Sequence, residues 1–209
     1  MFRSMMVIDD FFSNPMEVRA AALALAYPKP DKPQPYPGVT SGQPMLWANS
    51  DAMFSQIIGE PLRAKSGFFH GHYRKAYEGN RGFGYIHIDP DTVWAGVLYM
   101  TLPEHCQGGT EFFRHKKYGT DGAPINAEQL KIYGEDNADK LVDRLTEVDG
   151  LDPDNWDRII TLPMRFNRLI LFRGWMWHTA GISFGTSDEN CRLIQVFFFE
   201  TAQQPPQKR

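Results

Sequence analysis

The strongest constraint on this chain is a succession of short runs rich in aromatic and β-branched residues, each bounded by Gly, Asn or Pro. They fall at 66–76, 82–89, 93–101, 109–114, 158–163, 167–173, 176–182 and 190–199. Short runs punctuated in this way predict antiparallel strands rather than the strand-helix alternation of a parallel sheet. The expected architecture is mainly β (α+β), a double-sheet jelly roll. One segment, 117–157, interrupts the strands. It opens on the Gly-rich "YGTDGAP" and continues as a helical pattern in which Leu141, Val142, Leu145 and Val148 fit one apolar face.

Residues 1–65 read as helical support for that β core at 66–200. "MMVIDDFF" is a short β-prone run that stops at "SNP", where Asn14, Pro15 and Glu17 supply a capping box and a first-turn proline for the helix "MEVRAAALALAY". Residues 28–44 hold six prolines and form an extended loop, and a short helix is expected over about Ser50 to Ile58. At 209 residues the chain fills one core, so 1–209 is read as a single domain. A net charge of −3 gives no electrostatic case for a nucleic-acid or membrane partner. No uncharged apolar run is long enough to span a bilayer, and the first residues lack a secretory pattern, so the expected location is cytoplasmic. Cys106 and Cys191 are too few for a disulfide framework and read as free thiols.

The chemistry begins in "GYIHIDPDTVWAGVLYM", Gly84 to Met100. Strand side chains alternate, so His87 and Asp89 share a face, together with Phe83 and Tyr85. An imidazole and a carboxylate suit a divalent first-row metal, and a third ligand is offered by His178 in "RLILFRGWMWHTAG". Two histidines and one carboxylate on one face of an octahedron leave three positions open, the arrangement of non-haem Fe(II) oxygenases. A keto acid could take two of them and O2 the third, and a carboxylate kept at Asp89 favours hydroxylation over halogenation. A distal carboxylate on the co-substrate would need a cation. Arg192, at the start of "CRLIQVFFFE", supplies a guanidinium fork for it, and Arg173 is its rival.

From about residue 66 to residue 200 the chain resembles the 2-oxoglutarate and Fe(II)-dependent dioxygenase superfamily, on the strength of "HIDP", "WAGVLYMT", "GGTEFFRHK", "PMRFNRLILFRGWMWHTAG" and "ENCRLIQVFFF". Within that superfamily it is similar to an uncharacterised bacterial family known only by a domain of unknown function, and "GGTEFF" is similar to the prolyl-hydroxylase-like branch. The resemblance implies a double-stranded β-helix, iron held by His87, Asp89 and His178, and 2-oxoglutarate held by Arg192. Relatives often place Ser or Thr two residues after that arginine. Here the position is Ile194, and Tyr85 or Tyr99 is the expected substitute. The implied activity is hydroxylation of a small-molecule, amino-acid or peptidyl substrate, with release of succinate and CO2, by a monomer or homodimer. The competing class is a non-catalytic metal-binding or sensing module on the same fold.

Other features have plainer readings. Trp175 and Trp177 should face away from the metal, onto the core or beneath the insertion, while Trp94 and Phe197 to Phe199 read as core. "RHKK", Arg114 to Lys117, reads as a solvated turn or as a patch that steers an anionic substrate. His70 and His72 in "FFHGHYRKAYEG" are structural or pocket-lining, because the spacing to Glu78 is too long for a cupin motif. The acidic side of 117–157 is a solvated face or the outside of a lid.

Overall fold

The computed structural model describes residues 2–32, 34, 36–80 and 86–202. Its elements run β1 (Met5–Ile8), α1 (Pro15–Leu23), β2 (Val39–Thr40), α2 (Ser50–Ile58), β3 (Leu62–Ala64), β4 (Tyr73–Ala76), β5 (Trp94–Tyr99) and β6 (Gly109–His115). They continue through α3 (Ala127–Leu130), α4 (Ala138–Glu147), β7 (Trp156–Pro163), β8 (Arg168–Phe172), β9 (His178–Thr179) and β10 (Arg192–Thr201). Among the described residues the strands form two antiparallel sheets. The larger has the order β1-β8-β5-β10-β4-β2, with β3 also paired to β10, and the smaller has the order β7-β6-β9.

β10 is the backbone of the larger sheet, and both of its faces are buried. Leu193, Phe197 and Phe199 pack with Phe54 and Ile58 of α2 and Ala22 of α1, whereas Ile194, Val196 and Phe198 join Phe112, Ile170 and Phe172 between the sheets. This explains why the sequence there is a near-continuous apolar run rather than an alternation. Gln195 is the polar exception, and its side-chain amide donates to the carbonyls of Met45 at 2.6 Å and Gly71 at 2.9 Å.

Two predicted strands are much shorter than expected. The run 66–76 is a strand only from Tyr73, because Gly67 (φ 80°) and Gly71 (φ 76°) turn the preceding residues through the left-handed region. The run 176–182 keeps only His178–Thr179, and Gly181 (φ 73°) ends it. Half of the run 82–89 lies outside the described residues, and its described part, 86–89, forms no strand, only an isolated bridge of His87 with His178. The capping box at α1 is also altered. The Asn14 side chain donates to the Glu17 carboxylate at 3.3 Å instead of accepting from the backbone.

The insertion packs onto the β core through apolar side chains of its own. Leu141 and Leu145 of α4 are buried with Tyr133, Trp156 and Trp177 in a third apolar cluster. Val148 does not share that face: it caps the helix just past its last residue, Glu147, and is 63% exposed. Trp177 lies beneath the insertion, as its alternation with His178 implies. No helix among the described residues is long and apolar enough to cross a membrane, and both cysteines are free.

Candidate metal centre

His87 and His178 face each other across a reciprocal backbone pair. The His87 N–H donates to the His178 carbonyl at 3.0 Å and the His178 N–H to the His87 carbonyl at 2.9 Å, which brings the ring centroids to 4.4 Å. Two residues on, the Asp89 N–H donates to the Gly174 carbonyl at 2.8 Å, and a turn follows with Pro90 second and Asp91 (φ 54°) third. Gly174 is required for this approach, since a Cβ there would meet the Thr92 carbonyl oxygen at 2.3 Å. Ligand atoms of His87, Asp89 and His178 consequently lie within 4.8 Å of one another.

The chemistry of this donor set fits a divalent cation. His178 is buried, and its Nδ1 lies 2.9 Å from the Met176 carbonyl. A carbonyl only accepts, so Nδ1 carries the proton and the Nε2 lone pair is left facing the cavity. Burial pushes the His178 imidazole down to about 4, so it is neutral near pH 7 and its 3.5 Å contact with Asp89 is not an ion pair. Burial likewise pushes the Asp89 carboxyl up to about 6, opposed by the charges of His87 and Arg74 and by the Tyr36 hydroxyl. A desolvated carboxylate beside an imidazole lone pair is costly without a cation and well matched to one.

Around the triad lies a cavity of about 50 Å³ whose walls include Tyr36, Arg74, Thr110, Phe172, Arg192 and Phe198. Arg192 is 2% exposed and donates from Nη2 to the Ala180 carbonyl at 2.9 Å. Burial lowers its guanidinium to about 10, with the neighbouring Arg74 charge acting in the same direction. Tyr99, the residue expected to stand in for the missing Ser or Thr, is fully buried. Its hydroxyl shares a hydrogen with Thr110 Oγ1 at 2.7 Å and accepts from the Thr110 N–H at 3.0 Å, so Thr110 rather than Tyr99 meets the cavity. Tyr85 lies outside the described residues.

The rival candidates are engaged elsewhere. Arg173 makes a two-pronged pair with Glu60 at 3.0 and 2.6 Å and lies over Trp94. His70 Nδ1 is 2.7 Å from the Phe198 carbonyl, and His72 Nδ1 is 2.8 Å from the Ser41 carbonyl. The "RHKK" turn is only partly solvated. Arg114 pairs with Asp121, but His115 is 2% exposed and its Nε2 lies 3.0 Å from Asp149. Tyr36, Arg74 and Thr110 were not singled out by sequence reasoning. Thr110 lies within the "GGTEFF" motif, and Arg74 stands in the short alternating strand "YRKA". Tyr36 carries no local signal inside the Pro-rich loop.

Two packed antiparallel sheets with a His-Asp-His cluster at one end of their interior define a candidate metal-binding β protein. The chain belongs to a family of unknown function, DUF6445, whose family model matches residues 85–194. Two solved structures are similar in fold. HygX from Streptomyces hygroscopicus, with nickel and 2-oxoglutarate bound, is 14% identical with a TM-score of 0.51, over 95% of this chain and 83% of its own. The non-haem α-ketoglutarate-dependent epimerase SnoN from nogalamycin biosynthesis is 15% identical with a TM-score of 0.51, over 95% of this chain and 79% of its own. No curated protein matches the chain.

Proposed function

We propose that the protein is a non-haem Fe(II) and 2-oxoglutarate-dependent oxygenase on a double-stranded β-helix. The carrying observation is the convergence of His87, Asp89 and His178 on one point of a cavity that Arg192 also lines. The pairing of β6 with both β7 and β9, facing a sheet centred on β10 and β5, supports the β-helix reading. Fe(II) would be held by the three ligands, and the distal carboxylate of 2-oxoglutarate by Arg192, with Thr110 beside it and Tyr99 fixing Thr110. Together with O2, these groups would supply the oxidising power to attack an unactivated C–H bond, with succinate and CO2 as by-products.

The chain's own part is positional. The Met176 carbonyl fixes the His178 tautomer, the Gly174 carbonyl anchors the Asp89 backbone, and Phe172 and Phe112 stand against the His178 ring to keep that side dry. The retained carboxylate at Asp89 favours hydroxylation over halogenation, and the substrate would be a small molecule or a peptidyl group. A monomer or homodimer working in the cytoplasm is consistent with this reading. A structural metal site would need a fourth protein ligand. Among the described residues the cluster of possible ligands comprises His87, Asp89 and His178, and neither His70 nor His72 joins it.

The test is anaerobic addition of Fe(II) and then 2-oxoglutarate, recording the weak visible charge-transfer band that keto-acid chelation produces. The band should appear in the parent, vanish in Asp89→Ala and require far more co-substrate in Arg192→Ala. Metal bound with no band in the parent would sink the proposal and leave a metal-binding module.

A further inference from the structure

Tyr36 and Arg74 each line two cavities. One is the small chamber that holds the triad, and the other is an outer cleft of about 540 Å³ walled by the Pro-rich loop. The inner chamber has a volume of only about 50 Å³, and Tyr36 and Arg74 are the described residues it shares with the outer cleft, so a substrate that reaches the triad from the cleft passes the Tyr36 ring. That ring sits 5.2 Å from His87 and packs against the Arg74 guanidinium at 4.5 Å.

Arg74 is 8% exposed, and its Nε donates to Thr40 Oγ1 at 3.2 Å. Stacking and that one bond hold the fork in plane, while no hydrogen bond of its terminal nitrogens is found among the described residues. Its strand position is opposite Ile194, which sets it diagonally beside Arg192 on the same face. The cavity therefore has two guanidiniums and a single carboxylate, Asp89, among its described lining residues. With neutral histidines, a divalent metal and a dicarboxylate co-substrate, one positive charge is still uncompensated. The outer cleft carries the same sign, with Lys29, Lys32 and Arg74 against Asp31.

Resting on the oxygenase reading, we propose that the primary substrate enters through the outer cleft and carries an anionic oxygen group, carboxylate or phosphate, which the Arg74 fork receives in place of the Tyr36 ring. Arg74 then determines specificity, and Tyr36 closes the site between turnovers.

The experiment uses full-length protein loaded with Mn(II) and saturated with 2-oxoglutarate. It is titrated with N-acetylglycine, inorganic phosphate and the neutral N-acetylglycine methylamide, following the melting temperature. At least one anion should raise it saturably while the methylamide does not, and the anion that binds tighter identifies the group. Apparent affinity should fall about tenfold or more in Arg74→Gln, and less in Arg74→Lys, which keeps the charge but loses the fork. Equal anion affinity in the parent and Arg74→Gln, or methylamide binding as strong as acid, would overturn the proposal. So would loss of the Fe(II) and 2-oxoglutarate band in Arg74→Gln, since Arg74 would then serve the co-substrate. If Arg74→Gln does not fold, Thr40→Val replaces it by removing the acceptor that orients Nε, and unchanged affinity there is equally fatal. A band missing from the parent defeats the oxygenase reading alone, because the Arg74 dependence of anion binding is read separately.

Discussion

Two of the histidine–aspartate pairings among the described residues, His115 with Asp149 and His178 with Asp89, do opposite things. At His115 both ring nitrogens are occupied. Nδ1 accepts from the Lys117 N–H at 3.2 Å, so Nε2 donates to Asp149 at 3.0 Å, and Arg144 stands 3.5 Å from the same carboxylate. Trp156 closes the arrangement, its ring 4.6 Å from the imidazole and its indole N–H bonded to the Asp149 carbonyl at 2.8 Å. At His178 one nitrogen is satisfied by the Met176 carbonyl and the other is left to face Asp89 and His87 without a proton. The difference teaches that residue type and burial do not make a metal site. What makes one is an unused lone pair aimed at a desolvated carboxylate.

The sharpest way to break the comparison is to truncate one member of each pair. Asp89→Ala should weaken Mn(II) or Fe(II) binding more than about a hundredfold, measured by competition with a chelator of known affinity, while His115→Ala leaves metal affinity within about threefold of the parent. Metal loss in both would mean that the pairs are one unit. In urea unfolding the order reverses. His115→Ala should cost about 2 kcal/mol, because it removes the Nε2–H donor to Asp149 and leaves a void beside Trp156. Metal at a hundredfold excess over its Kd should return about 2.7 kcal/mol to the parent and to His115→Ala but nothing to Asp89→Ala.

The smallest effect concerns the metal-free protein. The Asp89 carboxyl is raised to about 6, so its ionisation opposes folding: the cost is absent below the unfolded carboxyl range, grows as pH rises through it towards 6, and is complete above. Asp89→Asn should therefore stabilise the metal-free protein at pH 7 by roughly 1–3 kcal/mol, less whatever Arg74 loses with its counter-charge, and the gain should fade by about pH 4. His178 titrates in the opposite sense. Its imidazole is held at about 4, so its contribution is present above the unfolded histidine range and is lost as pH falls. The Asp89→Asn difference isolates the carboxylate from that background. A gain that persists at pH 4 would contradict the assigned cause.

The same contrast marks how far the sequence could be read. The i, i+2 spacing of His87 and Asp89 brings them to one point, although an isolated bridge at His87 rather than a strand holds them there, and "GWMWH" at the end of an apolar strand makes His178 a natural third member. α2 is found where the pattern puts it, from Ser50 to Ile58. What escaped was set by tertiary partners. His115 looked like part of a solvated basic turn because neighbours at 114, 116 and 117 are charged, and nothing local announces Asp149 or Trp156 as its enclosure. Arg74 looked like one strand residue among others, and its role depends on Tyr36 folding back from a loop with no periodicity. Tyr99 meets the cavity only through a neighbour the sequence does not announce: its hydroxyl bonds Thr110, which lines the wall.

The reciprocal bonding of His87 and His178 ties together two points of the chain far apart in sequence, one just before β5 and the other in the small sheet. A cation shared by their side chains is in effect a removable cross-link across the intervening loop, one that restricts the unfolded ensemble only while it is in place. Metal supply would then set how long a molecule lasts before it opens and is degraded.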